Sequence, residues 1–201
     1  MRFASILSGA AALAAGTFAS SVSADVVNIS SLGFGIEGNG AFYGSIAYSS
    51  NVLTITLTND LASAAGGKIT ALAFNIDGNA TAILTSTTYA AFADLGNSVS
   101  ASPLGTFEAG AGMGGSWLGG GSPNAGIARG ATGVFTFSVT GAGAGSLSAS
   151  SFILGGNGIN FAVRFRGFDN GGSEKAAGHL VPAPASLALL GLAAVGIRRR
   201  R

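Results

Sequence analysis

The stretch VLTITLT at residues 52–58 alternates apolar and polar residues with a period of two. Successive side chains of a β-strand point to opposite faces, so its leucines and isoleucine would face a core and its threonines would face solvent. Residues 43–48 precede this stretch, and the intervening Ser49-Ser50-Asn51 is typical of a tight turn. The two segments predict a β-hairpin with one buried face and one hydroxyl-bearing face.

The same two-residue period recurs farther along the chain. It is clearest at residues 72–77, 134–139 and 159–166, and residues 147–154 are interpreted as a further strand. Glycine-rich turns separate these segments, and no long amphipathic helical pattern interrupts them. The pattern predicts an all-β fold over residues 25–178, a single antiparallel β-sandwich domain of jelly-roll-like type.

The composition excludes several classes of protein. Only 9% of the 201 residues are charged and 48% are apolar, unlike a charge-rich disordered chain or a long coiled coil. The absence of cysteine excludes disulfides, thiol catalysis and cysteine-ligated metal centres. The single histidine, His179, is expected in a linker after the domain and has no evident catalytic partner. The sequence therefore predicts neither an enzyme nor a bound cofactor.

The positive net charge of the chain comes from its two ends. Arg2 and the four arginines at 198–201 make up half of the ten basic residues. Residues 25–180 hold five basic and eight acidic side chains, a net charge of −3. A sparse, mildly acidic domain has no basic stripe to follow a phosphate backbone, so we expect no nucleic-acid partner.

The first 24 residues have the pattern of a secretory signal peptide. Arg2 gives a positive start, residues 6–18 are apolar or small without a charge, and Val22-Ser23-Ala24 has small residues where signal peptidase needs them. Cleavage between Ala24 and Asp25 would leave Asp25 as the first residue of the mature chain.

The C-terminal segment, residues 179–201, carries a second three-part pattern. Val181-Pro182-Ala183-Pro184 is followed by thirteen uncharged residues, 185–197, and then by Arg198, Arg199, Arg200 and Arg201. Thirteen helical residues span about 20 Å, against about 30 Å for a bilayer core, and counting back to residue 181 reaches the lower limit for a span. By the positive-inside rule, the arginines would stay on the cytoplasmic side.

This tail resembles the PEP-CTERM sorting signal of bacterial surface proteins. Pro182 and Pro184 match the two prolines of that motif, and Ala183 stands in place of its glutamate. Arg198, Arg199, Arg200 and Arg201 match its stop-transfer cluster. The resemblance implies export across the inner membrane, transient retention there by residues 185–197, and cleavage near residues 181–184 by an exosortase-type enzyme. It implies a destination at the cell surface or in the extracellular matrix, with extracellular polysaccharide as a partner.

The leading functional prediction is a non-enzymatic surface or matrix protein, and the alternative is a carbohydrate-binding module. Residues 105–133 are predicted to form one long glycine-rich loop carrying the only tryptophan, Trp117. Trp117 could stack on a sugar ring, or it could fold back with Leu118 and cover the edge of the sandwich; its apolar neighbours favour the second interpretation. The other candidate stacking groups are Tyr43, Tyr48 and Tyr89.

Two further clusters are weaker candidates for binding. Arg164 and Arg166 would share the outward face of one strand, where they could form salt bridges or bind an acidic polysaccharide. Asp169, Asn170 and Glu174 could supply oxygen ligands for Ca²⁺, but they lack the EF-hand spacing, and a glycine-rich turn is the favoured interpretation. A polysaccharide-acting enzyme would require two carboxylates that converge in a cleft.

Overall fold

The computed structural model describes residues 24–32, 39–154 and 158–182. Most of the predicted signal peptide lies outside these residues. So do Ala183, Pro184, the apolar segment 185–197 and the arginines at 198–201. Within the described part of the chain, no helix is long and apolar enough to cross a membrane.

The regular structure of the described residues is almost entirely β-strand, with three short 3-10 helices at Pro123–Ala125, Ala144–Ser146 and Ala149–Phe152. The strands are β1 (Asp25–Ser31), β2 (Phe42–Ser49), β3 (Val52–Asn59), β4 (Lys68–Phe74), β5 (Thr81–Thr87), β6 (Phe92–Asp94), β7 (Val99–Ser100), β8 (Thr106–Phe107), β9 (Ala109–Met113), β10 (Ile127–Ala128), β11 (Thr132–Thr140), β12 (Phe161–Arg166) and β13 (Ser173–Val181).

One antiparallel sheet runs through nearly all of these strands in the order β5-β11-β3-β2-β1-β13-β12-β4-β9-β6, with β10 paired to β4. β13 joins the two halves, because residues 173–177 pair with β12 and residues 178–181 pair with β1. The sheet folds over on itself until its end strands, β5 and β6, come into contact. The predicted all-β antiparallel single domain is confirmed, in a nearly barrel-like form.

The hairpin predicted from residues 43–58 is also confirmed. Ser50 and Asn51 have φ values of 52° and 62°, the left-handed conformation that a two-residue hairpin turn requires at both positions. Leu53, Ile55 and Leu57 are completely buried. The alternating threonines point to the opposite face, as the period of two predicts.

The core between the two halves of the sheet is built mainly from phenylalanine. Phe74, at the centre, meets Phe137 edge-on with ring centroids 5.1 Å apart, and it meets Phe152 at 6.0 Å. Phe92 meets Phe135 at 5.0 Å. Such tilted pairs stabilise a core beyond the area that they bury.

The prediction of a strand at residues 147–154 is wrong. Three serines lie close together there, and the backbone N–H of Ser148 donates to Ser151 Oγ at 3.1 Å in a capping box that begins the 3-10 helix Ala149–Phe152. Local hydrogen bonds from serine compete with a sheet ladder. Phe152 of this helix and Ile153, directly after it, are still buried in the core, which is why the apolar spacing of the segment resembled that of a strand.

The prediction of a single long loop at residues 105–133 is also wrong, because this segment contains β8, β9, β10 and the start of β11. In β9, a side-chain carbon at Gly112 would come within 2.6 Å of the Ser116 carbonyl oxygen, and one at Gly110 would overlap the Leu72 carbonyl oxygen. Glycine here permits close approach between backbones within a sheet. The high glycine content predicted a loop, but in these strands glycine serves close packing of the backbone.

The last strand extends beyond the predicted domain boundary at residue 178. β13 continues through Val181, so His179 and the first residue of the predicted sorting motif are part of the sheet. The expectation that His179 lies in a linker is therefore wrong. Pro182 follows directly and is exposed.

Candidate functional site

The outward side chains of β1, β2, β3 and β11 form a surface that we call the hydroxyl face. Cross-strand register places them side by side, and none of their outward positions carries a charged side chain. The hydroxyl-bearing members are Ser30, Tyr43, Ser45, Ser49, Thr54, Thr56, Thr58, Thr132, Thr136, Ser138 and Thr140. A surface of this kind offers many hydrogen-bond donors and acceptors without attracting ions.

One row crosses the four strands of this face and continues onto β13. Thr132, Thr58, Tyr43, Ser30 and His179 are successive cross-strand partners. The Thr58 and Thr132 hydroxyl oxygens lie 2.8 Å apart, and Ser30 Oγ lies 3.5 Å from His179 Nε2. With strands about 4.8 Å apart, the row is about 19 Å long. Tyr43, at its centre, is 52% exposed.

A depression of about 270 Å³ lies beside Tyr43, lined by Ser30, Ser31, Ala41, Phe42, Tyr43, Asp60 and Ala62. Asp60 is half-buried, and its Oδ1 accepts a hydrogen bond from the Ala62 N–H at 2.8 Å. That bond fixes the carboxylate at the rim of the depression. Asp60 Oδ2 accepts no hydrogen bond from the described residues. The depression therefore combines an aromatic ring, hydroxyls and one oriented carboxylate.

The other aromatic candidates are less exposed than Tyr43. Trp117 is only 6% exposed and packs with Phe107 and the alanines of β4 and β12 in a second, smaller core. Leu118, which we expected to fold inward beside it, is 66% exposed instead. Tyr48 is buried and its hydroxyl donates to the Ala144 carbonyl oxygen at 2.8 Å. Tyr89 is half-buried against the core.

Arg164 and Arg166, predicted to share the outward face of one strand, do not lie on an open face. Arg164 is 8% exposed, because the loops that carry Trp117 cover this face of β12. Arg166 is half-buried, and its Nη1 donates to the Gly119 carbonyl oxygen at 2.7 Å. The contact ties the loop after Trp117 to the sheet, so this pair offers no open surface to an acidic polysaccharide.

The structure does not bring the candidate calcium ligands together. Glu174 is fully buried on the core face of β13, where its carboxylate accepts from the backbone N–H groups of Asn39 and Lys175 at 3.1 and 3.0 Å. Asp169 and Asn170 lie in an exposed turn, and Asn170 Oδ1 accepts from the Gly172 N–H at 2.9 Å. The described residues contain no group of three or more acidic or histidine side chains placed for a metal ion.

Several carboxylates cap backbone groups of the loops, a role that the sequence did not indicate. Asp25 Oδ2 accepts from the Ala149 N–H at 2.9 Å, and Glu108 Oε2 accepts from the Ile76 N–H at 2.7 Å. Asp94 accepts from the Leu84 and Gly96 N–H groups at 2.7 and 2.8 Å. Hydrogen bonds to an ionised group are stronger than neutral ones. These partners are distant in sequence or in irregular turns, so no local signal could have revealed them.

The contact between Ser30 and His179 was also missed, because 149 residues separate them. His179 Nδ1 is buried and has no hydrogen-bond partner in the described part of the chain. In a serine hydrolase a carboxylate holds this nitrogen and orients the ring. The contact thus does not reproduce a catalytic triad, and we interpret it as part of the polar row.

Comparison with known proteins gives no relative from which a function could be transferred. No protein-family model matches this chain, and no curated protein sequence or solved structure matches it. The functional argument therefore rests on the residues of this chain.

Proposed function

We propose that this chain is an exported, non-enzymatic protein of the cell surface or extracellular matrix. In this proposal signal peptidase removes residues 1–24, and an exosortase-type enzyme cleaves the PEP-CTERM-like tail near residues 181–184. The residues between these points form the working domain.

The observation that carries the proposal is the agreement between the strand limits and the predicted cleavage points. β1 begins at Asp25, and β13 ends at Val181. The two strands are neighbours, with Asn28 opposite Val181, so both limits of the sheet lie at the same end of the domain. Cleavage at both points would remove no residue that pairs in the sheet.

Asp25 itself is well suited to be a first residue. Its backbone pairs with Tyr48 of β2, and its carboxylate caps the 3-10 helix that begins at Ala149. A chain that starts here keeps its whole first strand. The uncharged hydroxyl face suits a protein that works among hydrated polysaccharides, and the capping role of Asp25, Asp94 and Glu108 gives these acids a structural function.

Intact mass spectrometry of the native protein from cell-envelope and medium fractions tests the proposal. We expect a mass that begins at Asp25 and ends within residues 181–184, with or without added glycan. Matched variants strengthen the test: Ala24→Leu places a bulky residue at the signal-peptidase site, and Pro182→Ala alters the sorting motif. The first should retain the N-terminal segment, and the second should retain the tail or reduce its removal.

Two results would contradict the proposal. A native protein that still begins at Met1 would show that no signal peptide is removed. A native protein that begins at Asp25 but retains Arg201 would show that the tail is a permanent anchor.

A further inference from the structure

We infer that the depression beside Tyr43 is a binding site for a neutral polysaccharide. The site is formed by Tyr43 and Asp60, with Ser30 beside them. It gives the proposed surface protein a ligand. It rests on the proposed function only in one respect, that export brings the protein to the place where the polysaccharide occurs.

The exposed ring of Tyr43 supplies the apolar contact. Among the described residues it is the aromatic side chain that is more than half exposed. Its outward neighbour on β1 is Ser30, which also lines the depression. Its neighbour on β3 is Thr58, which is buried with its hydroxyl oxygen 2.8 Å from that of Thr132. A sugar ring has an apolar face of C–H groups and a rim of hydroxyls, so it can lie on the aromatic ring while its hydroxyls reach Ser30.

Asp60 supplies a directional acceptor. The Ala62 N–H fixes one carboxylate oxygen at 2.8 Å, which orients the group without neutralising it. Ligand sites combine an apolar surface with a few oriented polar groups in this way. The volume of about 270 Å³ suits one sugar unit. The row of polar side chains extends from the depression on both sides, across the neighbouring strands.

The charges favour a neutral polysaccharide over an acidic one. The carboxylate of Asp60 would repel an anionic sugar at short range, and residues 25–180 carry a net charge of −3. The two arginines that could have attracted an acidic chain lie on another strand, where one is buried and the other is bonded to the Gly119 carbonyl oxygen. The binding expected here is therefore insensitive to salt.

Native gel electrophoresis in gels that contain a soluble polysaccharide tests the site with the full chain. The probes are a β-glucan, dextran and a galactomannan as neutral polymers, with alginate as the anionic comparison. We expect at least one neutral polymer to retard the protein and alginate to have no effect. Tyr43→Ala should weaken the retardation at least tenfold, and Tyr43→Phe should stay within about threefold of the original protein, because the ring is retained.

Two more variants separate loss of the site from loss of the fold. Ala62→Trp would fill the depression from its exposed rim and should abolish retardation, while Asp60→Asn should weaken it. Ile83→Ala removes another exposed apolar side chain, 54% exposed on β5, and should change nothing. The thermal melting of each variant shows that the fold is kept.

The inference is overturned if none of the three neutral polymers retards the protein, or if Tyr43→Ala and Ala62→Trp bind as well as the original. Retardation by alginate alone would also overturn it. These results concern the purified protein, so they are independent of the mass measurement that tests export and processing.

Discussion

Asp94 holds together the two end strands of the sheet, and its removal should destabilise the domain. It lies at the end of β6, and its Oδ1 accepts from the Leu84 N–H of β5 at 2.7 Å, while its Oδ2 accepts from the Gly96 N–H at 2.8 Å. β5 and β6 are at opposite ends of the strand order, so this side chain joins edges that no ladder connects.

The size of the effect follows from these two bonds. A hydrogen bond to a charged group contributes about 1.5–3 kcal/mol to stability, and the half-buried position of Asp94 favours the lower part of that range. Asp94→Ala should therefore lower the free energy of unfolding by about 2–4 kcal/mol. Asp94→Asn keeps one acceptor oxygen and should lose about half as much, since only one of the two N–H groups then remains bonded.

Urea unfolding followed by the fluorescence of the buried Trp117 measures this difference. Asp77→Ala is the matched control, because Asp77 is exposed and its carboxylate accepts no hydrogen bond from the described residues; its free energy of unfolding should stay within about 0.5 kcal/mol of the original. Light scattering on the Asp94→Ala variant should show association, since the N–H of Leu84 becomes free to pair with another strand. An Asp94→Ala protein within about 0.5 kcal/mol of the original would refute the reasoning.

Two further predictions concern the hairpin formed by β2 and β3. Burial raises the pKa of the Tyr48 hydroxyl above its usual 10.0, so the folded state holds this proton more tightly than the unfolded state. The stability that this proton contributes is complete below pH 10 and is lost as the pH rises through the raised folded pKa. Urea titrations between pH 7 and 11 should show that Tyr48→Phe no longer loses this stability at high pH. At pH 7 the same variant should be about 1 kcal/mol less stable than the original, because the hydrogen bond to the Ala144 carbonyl oxygen is lost. Gly44→Ala would drive a Cβ into the Thr56 carbonyl oxygen of the paired strand, so thermal melting should show a loss of more than about 2 kcal/mol, whereas the outward Ser45→Ala should melt like the original.

The sequence was sufficient to predict the strands whose side chains alternate. β2, β3 and β11 each bury one face, and their apolar spacing reports it directly. In β12 the alternation marks the core face, although the other face is covered as well. The sequence was insufficient where glycine or serine decides the local structure. In β9 glycine permits close packing of backbones, and near Ser148 side-chain hydrogen bonds end the extended conformation. Amino-acid composition alone cannot distinguish a glycine that permits close strand packing, or a serine that caps a helix, from the same residue in a loop.

The candidate site was only partly predictable for a different reason. The alternation in β2 indicates that Tyr43 points outward, but the inward packing of Trp117 and the burial of Arg164 depend on loops that cover the far side of β12. Asp60 and His179 join Tyr43 and Ser30 only through sheet pairing and turn geometry. Contacts between residues so far apart in the chain follow from strand order, which the sequence does not reveal.

The position of the row along its strands connects the two proposals. From Asp25 to Ser30 the chain advances five residues along β1, about 17 Å at about 3.4 Å per residue. β13 runs antiparallel to β1, so it passes His179 and then leads away from the row toward the end where Asp25 lies. Both predicted cleavage points are therefore displaced from Tyr43 in the same direction. Binding of a polysaccharide at Tyr43 and processing at the chain ends would use different parts of the domain, so a surface protein could bind its polysaccharide before and after the tail is removed.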